Sequence, residues 1–253
     1  MLEVVFFFVQ NRFLSLHKKS MDSLLRRLKF YGIGFSIGLV FVLIFFQNRG
    51  CSWLPSNRIK NSFLDRVIVL PENEAKTLKK LHLSNKDIIN VLNDGEVVFS
   101  KSLKKGTSKV YHLEKEFDNK GLLHFFFTLP DESFISEVHI SEKSAMQVKN
   151  TKVGTGKILH FPKDDNLVFV DSSQVVRCQQ TELGLVNPID ILKLMKQNSS
   201  IDFSKTDYKA TPKAVQYIQF FDKKHRLIGA HAIWYKNKIN ITDFVLPFKS
   251  KCQ

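Results

Sequence analysis

Cysteine is scarce in this chain: Cys51, Cys178 and Cys252 are the only three among 253 residues. None forms a C-x-x-C pair, and the eight histidines do not gather near them. Neither a zinc site of cysteines nor a framework of several disulfides is therefore expected. A single Cys178–Cys252 bridge is compatible with the sequence, which does not decide it. Acidic residues are in the minority, 24 against 38 Lys and Arg, which gives a formal charge of +14 and a pI near 9.6. Such a balance attracts anions. The basic residues stand in ones and twos, however, as in "LKKLHL" and "FDKKHR", and no nucleic-acid reader motif accompanies them. Nucleic acid is not an expected partner. A Gly-rich phosphate loop and a nucleophile elbow are both missing. The "GTG" of Gly154 to Gly156 lacks the third glycine and the strand–helix setting of a dinucleotide fold. No cofactor, no metal and no catalytic residue is expected on these grounds.

What is present begins with an apolar run. Residues 30–48, "FYGIGFSIGLVFVLIFFQN", carry no charge. As a helix they would extend about 28 Å, near the hydrocarbon thickness of a bilayer. The exit "FFQNRGCSW" lacks the small residues of a cleavage site and does not resemble a lipobox, so an uncleaved single-pass transmembrane helix is expected. Basic residues before the span (Arg12, Lys18, Lys19, Arg26, Arg27, Lys29) outnumber those after it (Arg49, Arg58, Lys60, Arg66). That bias sets residues 1–29 in the cytoplasm and the rest outside. In a bacterium the expectation is an inner-membrane protein with periplasmic soluble modules. Gly34 and Gly38 form a G-x-x-x-G stripe, through which two such spans can pack as a homodimer. Residues 1–20 fit none of this, and Met21 opens a more ordinary start, so the first twenty read as an over-extended start.

Beyond the span the chain repeats itself. From Asp87 it reads "DIINVLNDGEVVFSKS"; from Asp190 it reads "DILKLMKQNSSIDFSKT". In the first phrase Ser84 caps a helix, Asp87 stands in the capping-box position, and Leu83 and Ile88 have staple spacing. Gly95 follows as a left-handed stop, then "EVVFS" as a strand with Val97 and Phe99 on one face. In the second, Asn187 caps, Pro188 takes the first helical position and Asp190 lies three residues after the cap. Val186 and Ile191 form the staple, Asn198 the stop, and Ile201 and Phe203 alternate. Upstream, "DRVIVL" from Asp65 matches "DNLVFV" from Asp165. Downstream, Tyr111 matches Tyr217, His124 matches His231 and Ile135 matches Ile241. A period of about 100 residues means tandem domains rather than a solenoid.

The expected fold class is α+β: the transmembrane helix, then two related modules, each a helix packed on an antiparallel sheet. The boundaries are a linker at 49–62, a first module at 63–142, a linker at 143–160 and a diverged second module at 161–248. Asp87, Gly95, Phe99, Ser100, Lys101, Ser102 and Tyr111 are structural by default, as are Asp190, Asn198, Phe203, Ser204, Lys205 and Tyr217. The serines of "FSKS" are expected to bond turn backbone.

A helix D-I-x-x-V-L, a D-G turn, a strand into F-S-K-S and a later tyrosine strand occur here as Asp87, Ile88, Val91, Leu92, Asp94, Gly95, Phe99 to Ser102 and Tyr111. This pattern resembles the bacterial family called domain of unknown function 4258. The approach from Phe30 resembles the membrane anchors of its short Bacteroidetes-type members. The likeness covers about residues 30–141. The second copy departs from it, with Asn198 for the turn glycine and one residue inserted. The resemblance implies no activity. The order of helix and antiparallel strands is also distantly similar to small ribonuclease toxins.

Three functions compete. The first is a non-enzymatic envelope protein whose linked modules bind a protein or peptide partner. The second is a ribonuclease-like enzyme with His112, Glu114, Lys101 and Tyr111 as base, acid and cation. Against it, alternation puts His112 and Glu114 on the strand face opposite Tyr111 and Leu113. The third is an immunity or antitoxin-like partner. The residues favour the first.

Overall fold

The computed structural model of the chain describes residues 27–43, 54–118, 120–131, 133–140, 144–235 and 238–252. The chain divides into two units, Met1–Leu54 and Pro55–Gln253. In the first, residues 27–43 form helix α1, exposed at every position; Gly34 and Gly38 lie on it with nothing within 4 Å of a built Cβ. Among the described residues no helix is long and apolar enough to cross a membrane. Residues 44–48 of the expected span lie outside the described residues, as do Met21, Cys51 and the basic residues up to Arg26.

The second unit is α+β with one mixed sheet of eleven strands. Its first half holds α2 (Pro55–Leu64), β1 (Val67–Pro71), α3 (Glu72–Lys80), α4 (Asn85–Asp94), β2 (Glu96–Val97), β3 (Ser108–Phe117), β4 (Gly121–Pro130) and β5 (Ile135–Ile140). Strand β6 (Thr155–His160) follows. The second half holds β7 (Val168–Val170), α5 (Gln174–Leu183), α6 (Pro188–Gln197), β8 (Ser199–Asp207), β9 (Val215–Phe221), β10 (Leu227–Tyr235) and β11 (Lys238–Val245). The order across the sheet is β2-β3-β4-β5-β1-β6-β8-β9-β10-β11-β7. β1 joins β5 in parallel and β7 joins β11 in parallel, while the other pairings are antiparallel. Each half thus runs strand, two helices, four-strand meander, with its first strand laid beside its last.

The stretch expected as a linker contains β6, which pairs with β1 on one side and β8 on the other. Gly156 makes that closeness possible, because a Cβ there would strike Val69 and Phe203. Following the pairing signs from strand to strand, β8 runs opposite to β2. The same order with reversed direction turns the second half over. One core, with Ile68, Leu70, Ile88, Leu92, Leu113 and Phe125, lies under the first helices. The other, with Val67, Val69, Ile191, Leu192, Ile218 and Phe220, lies under the second.

The helix starts follow the local signals. Ser84 and Asp87 form a reciprocal capping box, and Asn187 accepts from Ile189 N with Pro188 in the first turn. The stops differ from expectation. Gly95 has φ −65° and Asn198 φ −161°, both extended rather than left-handed, because a strand begins at the next residue. Gly95 is needed for space instead: a Cβ would strike Val91 O. Lys60 Nζ donates to Asn93 O (2.9 Å) and Gly95 O (3.2 Å) at this helix end, where a cation is favoured. Leu83 and Ile88 are buried together as a staple, whereas Val186 is 68% exposed and makes none.

Cys178 of α5 is bonded to Cys252, closing a separation of 74 residues. A bridge that removes this much freedom from the unfolded chain contributes about 3 kcal/mol. Replacing both cysteines by Ser should lower the melting midpoint by about 10 °C, and dithiothreitol should do the same to the parent chain in calorimetry. Equal midpoints would show that the bridge stabilises nothing.

Two carboxylates hold His139 of β5. Its Nδ1 lies 3.3 Å from Glu74 Oε1 and its Nε2 3.4 Å from Glu137 Oε2. Thr151 N donates to both Glu137 oxygens and Ile140 N to Glu74 Oε2. Burial works against the imidazolium, but Glu137 and then Glu74 more than offset it, and the pKa is pushed from its ordinary 6.5 up to about 9. A raised folded pKa stabilises fully below the unfolded value and fades as pH rises through the folded one. His139→Gln should therefore cost on the order of 3 kcal/mol at pH 6, with the difference from the parent shrinking by pH 10 in urea unfolding. A pH-independent difference would contradict the charged assignment.

Candidate functional site

The site begins with a strand that stops early. β2 pairs with β3 for two residues, Glu96 opposite Glu114 and Val97 opposite Leu113. Val98 N still donates to His112 O (2.8 Å). Then Phe99–Lys101 turn as a 3₁₀ segment. Ser102 Oγ donates to Val98 O (2.7 Å) and accepts from His112 N (3.0 Å), so a side-chain hydroxyl fills the gap in the ladder. Leu103 resumes pairing opposite Val110. "FSKS" is therefore a bulge, in which Phe99 still packs against the core that holds Val97. Bulges redirect side chains, and this one carries Lys101 over the face of β3 and β4 that points away from α4.

On that face Glu114 stands opposite His124, and His112 opposite Phe126. The His112 ring stacks on Phe126 at 4.6 Å between centroids and is 4% exposed. His112 Nε2 lies 3.1 Å from His124 Nδ1 and 3.5 Å from Glu114 Oε1, and His124 Nδ1 lies 3.3 Å from the same Oε1. Lys101 Nζ donates to that oxygen at 2.9 Å. His112 Nδ1 is buried with no hydrogen-bond partner among the described residues; the stacking, not a bond at Nδ1, holds the ring.

The hydrogen bond from Lys101, partly countered by burial, holds the Glu114 carboxyl below its usual range, with the charges of Lys101, His112 and His124 adding to it. Burial lowers the His112 pKa. Glu114 opposes the shift, and His124 and Lys101 reinforce it. At neutral pH the pair is a carboxylate beside a neutral imidazole. His112 and His124 border a cleft of about 810 Å³. Its polar floor has Ser100, Lys101, Ser102, His112 and His124, and Leu81, Leu122, Leu123 and Met146 supply apolar wall.

Three of the motif positions line the cleft, Ser100, Lys101 and Ser102, and the tyrosine strand contributes His112 to it. Tyr111 itself faces the other way, into the core under the helices, 5.9 Å from the Phe63 ring; it takes no part in the cleft. Asp87 and Asp190 remain at their helix starts. Phe203 is buried in the second core.

The sequence reading missed His124 as a site residue. The signal lay in the hairpin: its turn sets Phe117 opposite Gly121, and counting back from there brings Glu114 to His124.

The second half keeps the bulge. Thr206 Oγ1 donates to Asp202 O as Ser102 does to Val98 O, and Asp207 pairs with Val215 as Leu103 pairs with Val110. Ser204 Oγ accepts from Gly154 N. Lys205 Nζ lies 4.6 Å above the Tyr217 ring and 3.5 Å from Asp202 Oδ2. In this register Tyr217 is level with His112, Gln219 with Glu114, Gly229 with His124 and His231 with Phe126. The expected Tyr111–Tyr217 and His124–His231 matches are therefore out of step, and a shift of one residue reverses the face. Ile241 likewise is level with Val138, not Ile135. The Tyr217 hydroxyl fills the space a Cβ on Gly229 would need. The trio of His112, Glu114 and His124 has no counterpart there.

Against protein-family models, curated proteins and solved structures, the chain has no match in any of the three comparisons.

The Lys101 bond is testable by titration. In Lys101→Met the Glu114 carboxyl resonance should titrate at higher pH than in the parent chain, because the largest cause of its depression is removed. An unchanged carbon NMR titration curve would mean that Lys101 does not hold that oxygen.

Proposed function

We propose that the chain is a single-pass inner-membrane protein with two copies of one α+β module outside the cytoplasm. In this reading the first copy binds a protein or peptide partner of the cell envelope through its cleft, and the second copy has lost that site. The carrying observation is the cleft itself: a floor of Lys101, His112, His124 and two serines beside apolar walls. Such a lining suits a segment with an apolar body and one anionic group, a side-chain carboxylate or a chain end. The recurring strand order supports the duplication. The charge-free stretch from Phe30 to Asn48, whose residues 30–43 lie on the exposed helix α1, supports the anchor. The Cys178–Cys252 bond supports an oxidising compartment, independently of the basic-residue bias.

The ribonuclease reading gains a second histidine from the cleft, yet the geometry opposes it. An acid and a base working on one phosphate must flank it. Imidazole nitrogens 3.1 Å apart leave no room between them.

The anchor and the cleft are tested together in cells. Alkaline phosphatase fused after Gln253 should be active, and a fluorescent protein fused there dark; the reverse overturns the exported topology. A photo-crosslinking residue at Met146, 77% exposed on the cleft rim, should capture an envelope protein that one at Val186 does not. Lys101→Ala should lower that yield by about fivefold, the worth of one charged contact. Equal capture at both positions, or no effect of Lys101→Ala, overturns the cleft as the binding site.

A further inference from the structure

We propose that His112, Glu114 and His124 hold one divalent cation of the zinc class at the floor of the cleft. The three donor atoms form a closed triangle with edges of 3.1, 3.3 and 3.5 Å. The same nitrogen or oxygen serves both of its edges. Protons cannot satisfy such a triangle. A carboxylate has none to give, and each imidazole nitrogen carries at most one. If both nitrogens are protonated, both face Glu114 and their hydrogens oppose each other across the 3.1 Å edge. If one is protonated, its single hydrogen is at best shared between the two edges that meet at it, and the third edge still sets the lone pair of the other imidazole against that of the carboxylate. A cation between the three atoms satisfies every edge at once.

The dimensions fit. Nitrogen and oxygen donors at about 2.0–2.2 Å around a tetrahedral zinc lie roughly 3.3–3.5 Å apart. Two imidazoles and one carboxylate suit zinc or cobalt and not magnesium or calcium, which take oxygen donors. The fourth position faces the cleft that His112 and His124 line. Lys101, whose side chain is 60% exposed, now brings its ammonium to the same Glu114 oxygen; it marks the spot as one that draws positive charge and is free to swing outward.

The fold does not require these groups. The second half builds the same bulge and hairpin with Tyr217, Gln219 and Gly229 in their places. Stacking of His112 on Phe126 and the Ser102 bond to its backbone fix the buried ligand in advance, in place of the hydrogen bond from the second ring nitrogen that usually orients a ligating histidine and that Nδ1 lacks among the described residues. The inference stands whether or not a peptide occupies the cleft.

Purified full chain, stripped by a chelator, is titrated with zinc in a calorimeter and with cobalt by absorption. One equivalent of each should bind, with the intense visible bands of tetrahedral cobalt, displaced by zinc. His124→Ala and Glu114→Gln should each weaken zinc by about 100-fold, while His231→Gln in the second half leaves it unchanged. Lys101→Ala should tighten zinc by about fivefold, since one competing charge is gone. That variant alters only an exposed side chain, so its result stands even if a ligand variant fails to fold. No uptake at about 100 µM zinc, uptake indifferent to His124→Ala and Glu114→Gln in folded protein, or Lys101→Ala binding no tighter than the parent each overturns the proposal.

Discussion

Strand β1 has no solvent face, and the rest of the second unit depends on that. All five residues of Val67–Pro71 are buried. Val67 and Val69 enter the core beneath α5 and α6, while Ile68 and Leu70 enter the core beneath α3 and α4. A strand buried on both faces must be apolar throughout and must lie inside a sheet, not at its edge. β1 obtains one neighbour from its own half, the parallel β5, and the other from β6. Neither half closes its sheet without the strip they share. This is why residues 55–253 form one compact unit, although the strand order recurs within it.

The sequence made the local chemistry legible and the long-range register illegible. Ser84 and Asp87 announced a helix start because a capping box needs only four neighbouring residues. The parallel between "DRVIVL" and "DNLVFV" was visible for a similar reason: apolar strands keep their type. The stops at Gly95 and Asn198 misled, because glycine and asparagine are chosen for left-handed backbone in general and here serve extended backbone. The Tyr111–Tyr217 match failed through a slip that no local signal reveals. One position along a strand changes everything about what a side chain touches, and only the pairings of β3 with β4 and β9 with β10 settle which position is which.

The candidate site was half visible. Alternation put His112 and Glu114 on one face, and the "FSKS" phrase put Lys101 and Ser102 nearby in the chain. Their convergence depends on the bulge, in which Ser102 replaces a ladder hydrogen bond and carries Lys101 over Glu114. His124 depends on the hairpin. A search by linear spacing finds ligands within a helix or a loop, where separation along the chain sets separation in space. Across a hairpin the separation is fixed by the turn, so twelve residues between His112 and His124 say nothing until the turn is located.

The placement of the cleft follows from the way the halves are turned. Each pair of helices covers one face of its own half, and the reversed strand direction puts the two pairs on opposite faces of a single sheet. The outer face near β1 is closed by the core of the other half. Farther out, at β3 and β4, Ala145, Val148 and Leu103 gather around Val110 and Phe126. What remains between that small cluster and the end of β4 is the cleft. The corresponding outer face of the second half is occupied by its own side chains: Tyr217 lies over Gly229 and His231 pairs with Asp243 at 2.8 Å. A bulky residue against a glycine fills in the second half what three polar groups leave open in the first. The architecture therefore supplies two outer surfaces with the same strand order, and the side chains on β3 and β4, not the backbone, decide that one of them carries the cleft.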